Sequence, residues 1–481
     1  MIGDRPLVSQ EQNNDPLAQL NDRCNAGSLS HALFIVGGAI GLLGIVVALL
    51  LGAFTDDGWR RFGFAYVTNY GYFLSIALGA LCFVAIQHVT RSAWSVSIRR
   101  VAEIIAATLP FFAVLFIPIL VIVLSGKGEV YPWAQPVPAH VLNHENEEHA
   151  AADNADYRIT LAAEDSEPEA AEQAHEDAED SHEADEAAHS EPHSRVGHYD
   201  ELTYKKRPYL NNGFFIVRWV LYFLIWSSLA LFFLKNSRKQ DETGNRRLSV
   251  IMEKVGAPGL VLFALTTTFA AFDLLMSLDP HWFSTIFGVY FFAGGMMGLM
   301  ATLIVAMVVF KKQGLLATSL NVEHQHDLGK FLFVFVFFWG YIAFSQYMLI
   351  WYGNLPEETG WFVRRGGDTG QPNAWSIVLL ILLFGQLLIP FAGLLSRHVK
   401  RSMPLLFFWS VWLLVMHWID IWWLVMPEYS SEHLTFGLPE IACLLGIGGL
   451  FLAALGRIAG DRSLLPLRDP RLAECLNFKN M

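Results

Sequence analysis

The sequence predicts an all-α, polytopic membrane protein with about ten transmembrane helices, and three observations support this fold class. Of its 481 residues, 53% are hydrophobic and only 16% are charged, whereas soluble domains average about 25% charged residues. Apolar runs of about 20 residues, long enough to cross ~30 Å of hydrocarbon, recur along the chain. These runs are continuous rather than alternating, which indicates helices that satisfy their own backbone hydrogen bonds in lipid. A soluble enzyme is therefore excluded.

The ten predicted spans divide into a group of three and a group of seven. They cover residues 31–54, 70–88, 101–124, 213–234, 258–276, 283–310, 329–352, 375–396, 404–426 and 436–457. The domain organisation predicted from them is a tail at 1–30, helices at 31–124, a long polar loop at 125–212, helices at 213–457 and a tail at 458–481.

Lys and Arg are unequally divided between the two sets of short loops. Loops 2–3, 4–5, 6–7 and 8–9 hold fifteen, among them Arg91, Arg99 and Arg100, while loops 1–2 and 7–8 hold four. Because cytoplasmic loops carry the excess of positive charge, both tails are expected on the cytoplasmic side of the membrane. Loops 1–2, 3–4, 5–6, 7–8 and 9–10 are expected outside the cytoplasm, among them the long loop 3–4. Below, "outer" and "inner" refer to this orientation.

The long loop holds an acidic, histidine-rich stretch at 140–200. It contains nineteen Asp or Glu, eight His and two Arg, and without it the formal charge would be +5 instead of −12. Such a composition cannot bury a core, so we expect the stretch to be largely disordered. A solvated insertion is the favoured interpretation, and weak zinc or copper binding or attraction of a basic partner such as a cytochrome c are the alternatives.

Ionisable side chains inside lipid each need a partner or a purpose, because burying one costs at least ~2.5–3.5 kcal/mol. Asp273 lies late in span 5, and His417 and Asp420 lie in span 9 at a spacing that puts both on one helix face. All three are expected in the outer half of the membrane. Further polar candidates at similar depth are Arg218 in span 4, Asp279 and His281 in the turn between spans 5 and 6, and Tyr341 and Gln346 in span 7.

This outer set suits quinol oxidation, because a quinol head group needs an acceptor that takes its proton as electrons leave. It would equally suit proton-coupled transport, and structural pairing of helices is the third interpretation. For Asp279 and His281, a turn-forming role is as good an interpretation as chemistry. The inner half of the membrane holds a sparser set of polar residues: His88, Glu103, Gln386 and Arg397. They could form a half-channel for proton uptake, but the favoured interpretation is that they are interfacial residues whose side chains snorkel to water.

The sequence contains no redox-centre motif. Its four cysteines are scattered singly, with no C-x-x-C or C-x-x-C-H spacing. Only His417 lies well inside a predicted span, so no histidine pair is expected to hold a b-type haem, and no Gly-rich nucleotide loop occurs. If the protein handles quinol, the electrons must pass to a partner.

Three runs carry a family resemblance: SLDPHWFSTIFGVYFFAG at 277–294, FFWGYIAFSQYMLIWYGNLPEET at 337–359 and YLNNGFFIVRWVLYF at 209–223. They resemble the F-type membrane subunit of bacterial alternative complex III, a quinol:electron-acceptor oxidoreductase, within the NrfD/polysulfide-reductase-like superfamily. The resemblance implies two four-helix bundles plus two flanking helices, no bound cofactor, and menaquinol as the complex's substrate. It implies as partners a multihaem cytochrome c subunit carrying haem c, a molybdopterin-enzyme-like subunit carrying iron–sulfur clusters, the C-type NrfD-like paralogue and other complex subunits.

The leading prediction is a non-redox membrane subunit of such a complex, with no activity expected alone. It would contribute a proton path, with a quinone pocket on the periplasmic side as a further expectation. A stand-alone proton-coupled secondary transporter and a scaffold subunit without a site are the alternatives. Transporters tend to show broken helices at matching places in two halves, and Pro110, Pro118 and Pro390 are not obviously paired.

Overall fold

The computed structural model describes residues 23–139, 141, 199–367 and 372–479, apart from 56 and 58. Most of the acidic, histidine-rich stretch, and with it the expectation of disorder, lies outside the described residues. Within the described part, ten helices are long and apolar enough to cross a membrane. This confirms the predicted fold class.

The spans are generally longer than their apolar cores, because several helices continue beyond lipid length at their inner ends. In order they are Gly27–Phe54, Arg60–Val89, Val96–Leu124, Asn212–Thr243, Arg247–Leu278, Phe287–Lys312, Val322–Gly353, Trp375–Leu395, Met403–Glu428 and Leu438–Ala459. Arg99 and Arg100, which the sequence analysis assigned to loop 2–3, instead lie inside the first helix of span 3 and are 0% and 1% exposed. That prediction was wrong, because hydropathy scores each arginine as polar and does not register the ion pairs with Glu103, Asp469 and Asp241 that allow both to be buried.

Two spans are interrupted. Span 3 consists of helices Val96–Ala106, Leu109–Leu115 and Ile117–Leu124, and the second and third of these each have a proline in their first turn, where the missing N–H is tolerated. Span 8 contains a π-helical segment, Leu383–Leu388, just before Pro390. These interruptions fall in the second helix of one bundle and the third helix of the other, so they do not match.

Spans 2–5 pack around one another as one four-helix bundle, and spans 6–9 form a second. The two bundles meet where span 2 packs against spans 6 and 9 and where span 5 packs against span 6. In the predicted orientation, the first helix of each bundle runs inward and the fourth runs outward. The bundles are therefore arranged as two units of the same topology.

Spans 1 and 10 form a flanking pair beside the bundles, closely packed along small residues. A Cβ atom added at Gly41 would lie 2.5 Å from the Leu450 backbone nitrogen, and one at Gly449 would lie 2.4 Å from the Gly41 nitrogen. Such close backbone contact is how helices associate in lipid, where hydrophobicity provides little drive. The architecture of two bundles plus two flanking helices agrees with what the resemblance implies.

Candidate functional site

The second bundle buries a carboxylate that receives contacts from its other three helices. Asp420 of span 9 is 1% exposed. Tyr290 of span 6 donates its hydroxyl to Oδ1, and Trp339 of span 7 donates Nε1 to Oδ2 at 3.1 Å. Gln386 of span 8 lies against the same carboxylate. All three neighbours are neutral, and among the described residues only His417 offers a basic group within 4.0 Å.

His417 lies one helical turn before Asp420 and is fully buried. Its Nε2 is 2.8 Å from Ser75 Oγ, while the Ser75 hydroxyl donates to the Tyr72 carbonyl oxygen at 2.7 Å. Since the serine has one proton and gives it to the carbonyl, this network assigns the imidazole proton to Nε2. His417 Nδ1 is then a bare acceptor. It has no hydrogen-bond partner among the described residues and lies 4.0 Å from Asp420 Oδ2.

Two glycines of span 6 make room for this imidazole. A Cβ atom at Gly294 would lie 2.9 Å from His417 Cε1, and one at Gly298 would lie 2.9 Å from Cδ2. The glycines are one turn apart, so together they form a slot for the ring. The slot holds Nδ1 facing the carboxylate, and any side chain at Gly294 would displace it.

The first bundle buries a carboxylate with a different environment. Asp273 of span 5 is 0% exposed and receives a bidentate ion pair from Arg218 of span 4, with Nε–Oδ2 at 2.8 Å and Nη2–Oδ1 at 2.9 Å. Tyr222 adds a hydroxyl donor at 3.0 Å. The guanidinium is itself fixed, because Nη1 donates to the Tyr209 carbonyl oxygen at 2.8 Å and the group lies 3.9 Å from the Tyr209 ring centroid. Asp273 is thus neutralised in place.

At the outer surface, charged groups link the ends of both bundles. Asp279 accepts from the His281 backbone N–H at 3.0 Å, which forms the turn between spans 5 and 6, and also pairs with Arg364. Arg364 reaches Glu428 at the end of span 9 at 3.5 Å. His281 Nε2 lies 2.7 Å from Asp200. Asp279 and His281 therefore both shape the turn and bear ion pairs, and neither contacts the buried carboxylates.

These ion pairs shift the pKa values of the outer groups. Burial acts to lower the pKa of His281, but its bonds to Asp200 and Asp279 outweigh burial and raise the pKa to about 9. Burial acts to raise the pKa of Asp279, yet the hydrogen bond from His281 and the Arg364 charge hold it below its ordinary value. Asp279 and His281 are therefore both ionised at neutral pH.

On the inner side, His88 and Glu103 are both fully buried and lie 3.8 Å apart. Glu103 is held by Arg99 at 3.3 Å and Arg100 at 3.0 Å. The arginines in turn bind Asp469 and, in span 4, Asp241. This ion-pair network ties the segment after span 10 to the first bundle.

The remaining candidates lie elsewhere. Gln386 contacts the Asp420 group rather than His88 and Glu103. In the amide orientation that satisfies both of its ends, Gln386 accepts from Trp339 Nε1 at 3.3 Å and donates to the Met416 carbonyl oxygen at 2.9 Å. Arg397 is exposed at the start of a short helix.

The two candidate residues of span 7, Tyr341 and Gln346, lie in different environments. Tyr341 is 58% exposed on the outside of its helix, so it does not join the buried groups. Gln346 is 3% exposed and accepts a hydrogen bond from Ser284 at 3.1 Å.

Sequence reasoning missed the neutral groups that complete the site. Ser75, Tyr290 and Trp339 sit in apolar runs where nothing in the residue type distinguishes them from packing residues. The one available signal was the pair of glycines four residues apart in span 6, since such spacing marks a close contact with a neighbouring helix.

Within the part of the chain that the structure describes, no group of three or more His, Cys, Asp or Glu side chains is arranged so that it could hold a metal ion. An open cleft of about 610 Å³ lies beside the outer end of span 4, lined by Tyr204, Lys205, Arg207, Pro208 and Asn211. Neither buried carboxylate lines it.

The fold and these buried groups define a multi-pass, all-helical membrane protein, with ten candidate spans among the residues that the structure describes. No family model matches the chain, and no curated protein matches it significantly in sequence.

Proposed function

We propose that this protein is a proton-conducting membrane subunit of a quinol:electron-acceptor oxidoreductase in a bacterial inner membrane. The observation that carries the proton role is the bare Nδ1 of His417, which faces the Asp420 carboxylate at 4.0 Å inside the second bundle. The resemblance of three sequence runs to the F-type subunit of alternative complex III supports the choice of complex.

The pair works as a relay because each member can change its proton content without breaking an ion pair. Asp420 is bound by the neutral donors Tyr290 and Trp339, so an incoming proton competes with no fixed cation. His417 donates its Nε2–H hydrogen bond to Ser75 Oγ, and its Nδ1 is free to accept a proton. The gap of 4.0 Å closes by a small approach of the two side chains or through one bridging water.

Electrons would travel on other subunits. The sequence holds no motif for haem or iron–sulfur ligation, so quinol oxidation requires redox partners. The resemblance implies that these partners are a multihaem cytochrome c subunit and an iron–sulfur subunit, together with the C-type paralogue. In this assembly the chain carries protons while its partners carry electrons.

Purification of the tagged protein from its native membranes in a mild detergent tests the assignment to a complex. We expect c-type haem in the optical spectrum and an iron–sulfur subunit in fixed ratio by mass spectrometry. A colourless preparation of this chain alone, from membranes in which respiratory complexes survive extraction, would contradict the assignment and favour a stand-alone proton-coupled transporter.

The Gly294→Ala variant tests the relay within the purified complex. The added methyl group must displace His417, since it would lie 2.9 Å from the ring, and we expect lower quinol-driven proton transfer with the complex still assembled. Gly71→Ala in span 2 is the matched control, because its nearest contacts would be ordinary ones at 3.7 Å. Equal proton transfer in both variants would argue against a relay through His417.

A further inference from the structure

Asp273 and Asp420 lie on corresponding helices of the two bundles. Each lies on the fourth helix of its bundle near the outer end and precedes a 3₁₀ turn, Asp273 by three residues at Met276–Leu278 and Asp420 by six residues at Met426–Glu428. The bundles share the same topology, so the two carboxylates are on counterpart helices, with Asp420 about one helical turn deeper.

The same correspondence continues at the surface. The acid that follows the first turn is Asp279, and the acid that ends the second is Glu428. Arg364 contacts both of them. The outer ends of the two fourth helices are thus built alike and joined by one arginine.

The counterparts differ in what the third helix presents to them. In the first bundle, span 4 supplies Arg218, which makes a bidentate ion pair with Asp273. In the second bundle, span 8 supplies Gln386, a neutral amide, from its π-helical segment. One carboxylate therefore has a permanent countercharge and the other has none.

We infer that Arg218 locks Asp273 out of proton transfer, so that only one of the two buried carboxylates on the fourth helices conducts. An arginine stays protonated in proteins, so its charge cannot be removed to make way for a proton on the acid. Protonating Asp273 would leave the guanidinium unpaired in a buried site, which costs several kcal/mol. The bonds of Arg218 to Tyr209 also prevent it from swinging out.

This inference rests on the proposed proton role of Asp420, and it makes a specific claim of its own. Replacing Arg218 by glutamine, the residue type at the corresponding contact in the second bundle, would make Asp273 a second carboxylate able to bind a proton. Replacing it by lysine would keep the countercharge and the lock.

Infrared spectroscopy of the protein, purified from native membranes with its partners, tests the proton role of Asp420 and the lock on Asp273 separately. A protonated carboxylic acid shows a carbonyl stretch above the amide I band that shifts in D₂O. Wild type is expected to show one such band during a pH titration, absent from Asp420→Asn. Arg218→Gln is expected to show a second band, absent from Arg218→Gln/Asp273→Asn and from Arg218→Lys.

The two failures are distinguishable. A folded Arg218→Gln protein that keeps its helical amide I band and its Asp420 band but gains no second band would overturn the lock. A wild-type band that disappears in Arg218→Gln/Asp273→Asn would also overturn it, because Asp273 would then be the protonated acid. If Asp420→Asn removes no band anywhere in the folded pH range, the proposed proton role of Asp420 fails instead.

Discussion

The contact between His281 and Asp200 should weaken at alkaline pH. The perturbation is a rise from pH 6 to pH 10, compared in wild type and in His281→Gln, which keeps a hydrogen-bonding side chain without the charge. The folded protein holds the imidazolium because two carboxylates raise the pKa of His281 from 6.5 to about 9. A group with a raised folded pKa contributes stability that is complete below its unfolded pKa and disappears as the pH rises through the folded value.

The magnitude follows from the size of this shift. One pKa unit corresponds to about 1.36 kcal/mol, so a rise from 6.5 to about 9 gives ~3 kcal/mol as an upper bound. The side chains of His281 and Asp200 are 19% and 29% exposed, and water screens part of the attraction, so we expect ~1–2 kcal/mol.

Thermal unfolding of the detergent-purified protein, followed by tryptophan fluorescence, measures this effect. Wild type should unfold at a higher temperature than His281→Gln at pH 6, and the difference should vanish above about pH 9. A difference that stays constant from pH 6 to pH 10, or that grows with pH, would refute the reasoning.

Two further predictions concern packing and charge burial, and thermal unfolding measures both. Gly41→Ala should destabilise the pair of spans 1 and 10 by ~1–3 kcal/mol through overpacking, because the new Cβ would lie 2.5 Å from a backbone nitrogen. Gly38→Ala is the control and should be tolerated, since its nearest contact would be at 3.9 Å. Equal effects of the two variants would contradict this packing. Arg218→Ala should cost ~3–5 kcal/mol by leaving Asp273 buried without its ion-pair partner. Arg218→Gln/Asp273→Asn should recover most of that loss, and a double variant as unstable as the single one would show that the ion pair is not the cause.

The helices were predictable from the sequence, whereas the environment of the buried charges was not. Continuous apolar runs mark a span whatever surrounds it, and so the number of helices followed from hydropathy alone. The burial of Arg99 depends on Glu103 of the same helix and also on Asp469, which is 370 positions away in the chain and binds it at 2.5 Å. No local sequence pattern predicts a partner as distant as Asp469, and Arg99 was therefore predicted to lie in a loop.

For the candidate site too, the buried ionisable residues were predictable from the sequence, but their partners were not. The cost of ionisable groups in lipid singled out Asp273, His417 and Asp420 as residues needing a partner or a purpose. Which partner each one has depends on helix packing, and only the structure shows that Arg218 serves Asp273. The i, i+3 spacing placed His417 and Asp420 on one face, yet their 4.0 Å separation, with Nδ1 unpaired, depends on the Ser75 contact from another bundle.

Quinol-driven proton translocation by the purified complex in liposomes tests the proton relay most directly. Asp420→Asn is compared with Arg218→Gln/Asp273→Asn, which replaces charged groups in the other bundle by neutral ones. The account predicts that Asp420→Asn loses most of the protons translocated per electron while the control keeps the wild-type ratio. An unchanged ratio in Asp420→Asn, or its loss in the control alone, would contradict a route through the second bundle.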